Sequence, residues 1–201
     1  MRIKVRIKFM EDCLGTIPKN AEVYSTWVEL NRAKREGEDA PELTEEKSWT
    51  GFPTDDQGLH LYNYHIKGFL KHAASVNPDI TGMKKKSGET ISGQMMRGRL
   101  DDQVFVFPRK IYFQPNKAQP DGFLERSLRA RTMQGDRITL VRSDTVKAGT
   151  EMEFEILIIP NSKITLEAIK AWLEYGELLG IGQWRNSSWG SFKTISFKAT
   201  A

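Results

Sequence analysis

The stretch that most constrains the fold lies at the C-terminal end of the chain. In "EMEFEILI" the residues Met152, Phe154, Ile156 and Ile158 alternate with their neighbours, the period of a strand with one dry face. "SKITLEAIKAWLEYGELLG" then sets Leu166, Ile169, Leu173 and Leu178 at helical spacing, with Gly180 where a C-cap glycine is expected. After a loop, "LLGIGQWRNSSWG", the segment "SFKTISFKA" reads as a closing strand. A strand, helix, strand unit of this kind lays its helix on one face of a sheet.

The N-terminal segment belongs to the same sheet by its pattern. "RIKVRIKF" puts Ile3, Val5, Ile7 and Phe9 on one side and Arg2, Lys4, Arg6 and Lys8 on the other. Four like charges on one strand face repel one another unless something anionic lies across them. Two readings follow: an edge strand guarded by charge against aggregation, or a surface that tracks phosphates.

Between these ends the pattern is mixed. Val23, Trp27, Leu30 and Lys34 recur at helical spacing behind Asn20 as a possible N-cap, and an acidic, proline-broken loop follows. "GLHLYNYHIKGFLKHAASV" predicts an extended entry and then a helix starting near Tyr64 to Ile66. Its stripe is Ile66, Phe69, Leu70 and Ala73, with Lys67 and Lys71 opposite. Gly68 inside that helix costs about 1 kcal/mol relative to alanine, so a close backbone contact is expected there. From residue 77 the pattern dissolves into glycine, serine and lysine. "DQVFVFPRKIYFQP" returns to strand character with a hairpin or bend at Pro108, and the arginine-rich stretch that follows carries a further strand at Ile138 and Leu140.

The order of elements predicts an α+β, ferredoxin-like (RRM-like) domain with a C-terminal glycine-rich loop and an inserted polar, basic segment. The 201 residues make one such domain, with flexible excursions at about 36–58 and 77–101. A composition of 39% hydrophobic and 28% charged residues excludes a disordered chain, and the net charge of +4 permits an acidic partner without demanding one. The single cysteine, Cys13, forms no internal disulfide and is expected to be a packed residue in a protein of the reducing cytoplasm. The chain has no run of about 18 apolar residues, so no membrane partner is expected.

The glycine loop resembles that of a known family. Gly180, Ile181 and Gly182, followed by Trp189, Gly190 and Phe192, follow the pattern found between the last helix and last strand of the RAMP superfamily, the ferredoxin-like CRISPR-associated RNA-binding proteins. Ser188 stands where that pattern has another glycine. "YNYHIKGFLKHA" is similar to the segment that leads into a helix beside the guide RNA in the backbone subunits of CRISPR effector complexes. The match lies at Ile66, Lys67, Gly68, Leu70 and Lys71, while Asn63, Tyr64 and His65 replace small residues. The resemblance covers about half the chain, in two blocks. It implies an RNA-binding subunit that holds a guide or other single-stranded RNA through its backbone within a ribonucleoprotein. Lys67, Gly68 and Lys71 would meet the RNA from the helix, and Gly180, Gly182, Arg185 and Ser187 from the loop. Arg126, Arg129 and Arg131, with the basic segment 82–99, would make flanking contacts or a thumb-like hairpin. Copies of the chain, or other subunits of the complex, are the implied protein partners, and head-to-tail contacts of that kind build helical filaments.

The loop chemistry stands beside the resemblance. Glycines let backbone N–H groups approach a phosphate, Arg185 adds a charge-assisted contact, and Trp184 and Trp189 either stack on bases or fill the core. No strong catalytic signature, phosphate loop or zinc pattern occurs, so neither cofactor nor metal is expected. His60, His65 and His72 lack convincing ligand spacing, and Asp12 reads first as a turn or cap residue. Besides a purely structural protein, whose cationic strand and glycine loop would face the core or a neighbouring subunit, two rival functions remain open at this level. One is a stand-alone viral or mobile-element protein of the same fold that interferes with a host defence complex. The other is an endoribonuclease of the superfamily using one histidine.

Overall fold

A computed structural model describes residues 1–19, 49–132 and 135–200, with only the backbone of 128–132, 135–139 and 200. The helix expected over Val23 to Lys34 and the acidic loop after it lie outside the described residues. Along the chain the strands and helices are β1 (Arg2–Phe9), β2 (Cys13–Leu14), β3 (Ile17–Pro18), β4 (Trp49–Gly51), β5 (Thr54–Asp55), β6 (Gly58–Tyr62), α1 (Asn63–Val76), α2 (Gly93–Gln103), β7 (Val104–Phe107), β8 (Lys110–Gln114), β9 (Gly122–Thr132), β10 (Gly135–Val146), β11 (Glu151–Ile158), α3 (Leu166–Glu174) and β12 (Phe192–Thr200).

The frame is β1, α1, β7 with β8, β11, α3, β12. In the main sheet β12 lies beside β1, β1 beside β11, and β11 beside β7 and β8, each pair antiparallel. Numbered within the frame, the strands run 4-1-3-2, so the fold is α+β and ferredoxin-like. The second frame strand is broken: β7 pairs Glu155–Ile158 and β8 pairs Glu151 and Met152, with Pro108 at the break because it has no N–H to give a ladder. Beyond β8 the sheet is extended by β6 and β5.

One face of this sheet is dry. Ile3, Val5, Ile7 and Phe9 of β1 and Met152, Phe154, Ile156 and Ile158 of β11 are buried under Ile66, Phe69, Leu70 and Ala73 of α1 and Ala168, Ile169, Trp172 and Leu173 of α3. The other face answers the charge question posed by β1. Arg2 pairs with Glu155 at 3.4 Å, and Lys4 and Arg6 each pair with Glu153 at 2.9 Å. β1 is paired on both sides, by β11 and by β12, so the edge-strand reading falls; the carboxylates of β11 meet Arg2, Lys4 and Arg6 on its cationic face. Pairs this exposed to water contribute little to stability.

Two expectations are corrected. Leu178 is 70% exposed, because α3 ends at Glu174 and a tighter turn over Tyr175–Glu177 changes the phase, so that Leu179 is buried instead. Gly180 accordingly is not the helix cap; the close approach at the end of α3 falls on Gly176, where an added Cβ would lie 2.4 Å from the Phe192 ring. Within 77–101 the chain is more regular than its composition suggests. Ser92 caps α2 by accepting from the Met95 N–H, Met96 and Leu100 are buried, and Gly93 packs on the Ser75 carbonyl of α1.

A second sheet, in the order β2, β10, β4, β3, carries β9 on β10. The β9–β10 hairpin pairs continuously from Gly122↔Thr145 to Thr132↔Gly135. Arg126, Arg129 and Arg131 all lie on β9, so the arginine-rich segment is a long hairpin, while 82–99 leads into α2.

Candidate nucleic-acid interface

The glycine loop is a knot of close backbone contacts. Gly180 faces the Trp189 carbonyl so closely that a Cβ would sit 1.8 Å from its oxygen, and Ile181 N–H donates to the Gly190 carbonyl at 3.1 Å. Gly182 has φ +96 and packs against Leu14 and Cys13 of β2, whose thiol is buried and points at the Ile181 carbonyl. Burial pushes the Cys13 thiol far above its ordinary range, so it is a packing group and not a nucleophile. Between these anchors Arg185–Ser187 form a single turn flanked by two left-handed residues, Trp184 at φ 53 and Ser188 at φ 64. Ser188 thus holds the conformation for which glycine is the natural residue. Two strained non-glycine positions fix a tip that exposes Asn186, Ser187 and Ser188 to solvent.

The base of the hairpin buttresses this loop. The Arg126 guanidinium lies 4.1 Å from the centre of the Trp184 ring, a cation–π contact that holds the half-buried indole. The Gln183 carbonyl oxygen accepts from Thr50 and Ser143 hydroxyls, both at 2.7 Å. Trp49 is likewise held, its N–H on Asp144 at 2.8 Å and its ring between Lys19 and Arg142.

On α1 the lysines have in-chain partners. The Lys67 ammonium donates to the Leu100 and Val104 carbonyls, and Asn63, one turn earlier, donates to the Val106 carbonyl at 2.8 Å. Together they fasten α1 to the C-terminal end of α2 and to carbonyls of β7. Desolvation lowers the proton affinity of Lys67, with Asp101 opposing. Lys71 pairs with Asp101 at 2.6 Å.

The side of α1 away from the core carries a strip that includes the Lys71–Asp101 pair. Tyr64, Gly68, Lys71 and Ser75 recur at helical spacing on the side away from the core. A Cβ at Gly68 would meet nothing within 4 Å, so the expected close backbone contact is absent and the helix backbone is bare there. His65 and His72 border the strip on the side of the glycine loop. Burial, and then the Arg185 charge, lower His65 to about 4; His72 is lowered by burial and then by Arg185 and Arg97. Both imidazoles are neutral at pH 7. Across the strip Arg97 of α2 donates to the Ser75 hydroxyl at 2.9 Å. Among the described residues no carboxylate pairs with Arg97 or Arg185. A bare helix backbone between two such arginines is complementary to a polyanion.

The remaining sequence candidates are structural. Asp12 pairs with Lys147 at 2.8 Å and accepts the Ala148 N–H, a turn role. His60 is 1% exposed beneath Tyr62 and Tyr112.

Neither models of protein families nor curated proteins match this sequence. Among solved structures it resembles a chain of the Type III-B Cmr-beta bound to cognate target RNA, determined by cryo-EM. The alignment covers 98% of this chain and 59% of that one, at 11% identity and a TM-score of 0.49. The chain therefore spans little more than half the length of this neighbour.

Sequence reasoning singled out Gly68 and the loop residues by number, included Arg97 only within the basic segment 82–99, and did not single out Gln183. Arg97 sits in the segment without apolar period, and the role of Gln183 depends on two strands distant in sequence.

Proposed function

We propose that this protein is a CRISPR-associated RNA-binding subunit of RAMP type, holding a guide or other single-stranded RNA by its backbone. The observation that carries the reading is the half-buried strip of α1 at Gly68, where an added Cβ would meet nothing within 4 Å, bordered by Arg97 and Arg185. RNA phosphates lie along this strip, with Arg185 and Ser187 reaching them from the loop. Trp184, its ring held by Arg126, lies in the same loop. Gly180 and Gly182 act by shaping the loop, and Lys67 and Lys71 by fixing the helix that floors the site. The ferredoxin-like strand order, with the glycine loop between the last helix and the last strand, supports the family assignment. A subunit of this kind works among copies of itself or other subunits on one RNA.

Purification from expressing cells tests the assignment. Co-purified RNA of discrete length, sensitive to ribonuclease and lost from Arg97→Ala/Arg185→Ala protein, is the expected result. Protein free of nucleic acid and without affinity for added single-stranded RNA contradicts it.

A further inference from the structure

Resting on that reading, we propose that Tyr64, stacked on Tyr62, is a nucleobase platform at the N-terminal end of the α1 strip. The RNA would then be held by base stacking as well as by its phosphates.

Five aromatic rings run without a gap from the main sheet to the glycine-loop side of α1. Tyr112 of β8 contacts His60 at a centroid distance of 5.3 Å, and His60 meets Tyr62 edge-on at 5.2 Å. Tyr62 stacks on Tyr64 at 5.5 Å with the planes 20° apart, and Tyr64 meets His65 at 4.5 Å. The inner end is rigid. His60 is buried, and the Tyr112 hydroxyl donates to Asp55 at 3.0 Å, where Lys110 also pairs at 2.6 Å. At the outer end Tyr64 is 56% exposed despite its size.

A core aromatic is covered and an isolated surface tyrosine has no ordered neighbour. Tyr64 is neither: its ring is oriented by Tyr62 and His65 while much of it faces solvent. It lies one turn before Gly68 on the same face of α1, so a nucleotide whose phosphate sits at the bare backbone has its base within reach of the ring. Arg185, near His65, supplies positive charge beside the platform, while Lys110 is paired with Asp55. Exposed aromatic, ordered orientation and cationic surroundings are what a sequence-tolerant contact with single-stranded RNA needs. A preset ring loses little freedom on binding.

The test compares Tyr64→Ala, Tyr64→Phe and the unaltered protein on two dye-labelled single strands of equal length, an ordinary RNA and one with abasic sites throughout. Unaltered protein is expected to bind the ordinary strand about tenfold more tightly than the abasic one. Tyr64→Ala should lose that preference, keep the affinity for the abasic strand and keep the salt dependence, while Tyr64→Phe retains the preference. The abasic affinity also reports whether the variant is folded. Equal binding of both strands by unaltered protein, or an undiminished preference in Tyr64→Ala, overturns the platform and leaves the phosphate-binding reading intact. Absence of binding to either strand overturns both.

Discussion

Gly68→Ala separates what α1 needs for stability from what the strip needs for binding. Alanine gains about 0.5–1 kcal/mol in a helix interior, and no neighbouring atom within 4 Å opposes the new methyl group. We therefore expect a higher urea midpoint together with weaker RNA binding, because the methyl group holds a phosphate off the helix backbone. Equal affinity would show that nothing approaches the helix closely there. His65 sets a pH dependence at the same scale. Its folded value of about 4 lies below the ordinary 6.5, so above pH 6.5 the imidazole is neutral in both folded and unfolded chains. As pH falls from 6.5 towards 4 the unfolded chain takes up the proton first, and stability falls. Thermal unfolding across this range should show the loss in the unaltered protein and a smaller one in His65→Gln.

At the scale of elements, Lys67 is the residue whose spacing was legible and whose partner was not. The helical period places it away from the Ile66, Phe69, Leu70 stripe, but only the fold brings the Leu100 and Val104 carbonyls to its ammonium. Lys67→Met is therefore expected to lower stability by about 1–2 kcal/mol in urea unfolding, the scale of a charged hydrogen-bonded group, while the salt dependence of RNA binding stays unchanged. A reduced salt slope with unaltered stability would instead make Lys67 a phosphate contact. The strongly periodic elements β1, β11, α1 and the start of α3 were readable because burial on one face writes a period of 2 or 3.6 into the sequence. The helix α2 was not, since Met96 and Leu100 alone are buried in an otherwise polar stretch. Leu178 misled because a tight turn shifts the phase without any mark in the hydrophobic pattern.

For the whole molecule the distribution of charge matters more than its sum of +4. On the open face of the main sheet, Arg2, Lys4 and Arg6 are met by Glu153 and Glu155, a neighbouring-strand relation that no local pattern reveals. On the helix side, Arg97 and Arg185 border a bare backbone. The glycine loop was legible as a special loop from its residues, whereas the strip it faces depends on three elements meeting. If this strip holds RNA phosphates, fluorescence anisotropy with labelled single-stranded RNA over a range of salt concentrations will show it. Log affinity should fall linearly with log salt, and Arg97→Ala/Arg185→Ala should bind more weakly, with a slope shallower by about 1–2. Affinity that does not vary with salt, or a double variant with the unaltered slope, would mean that no phosphates lie along the strip.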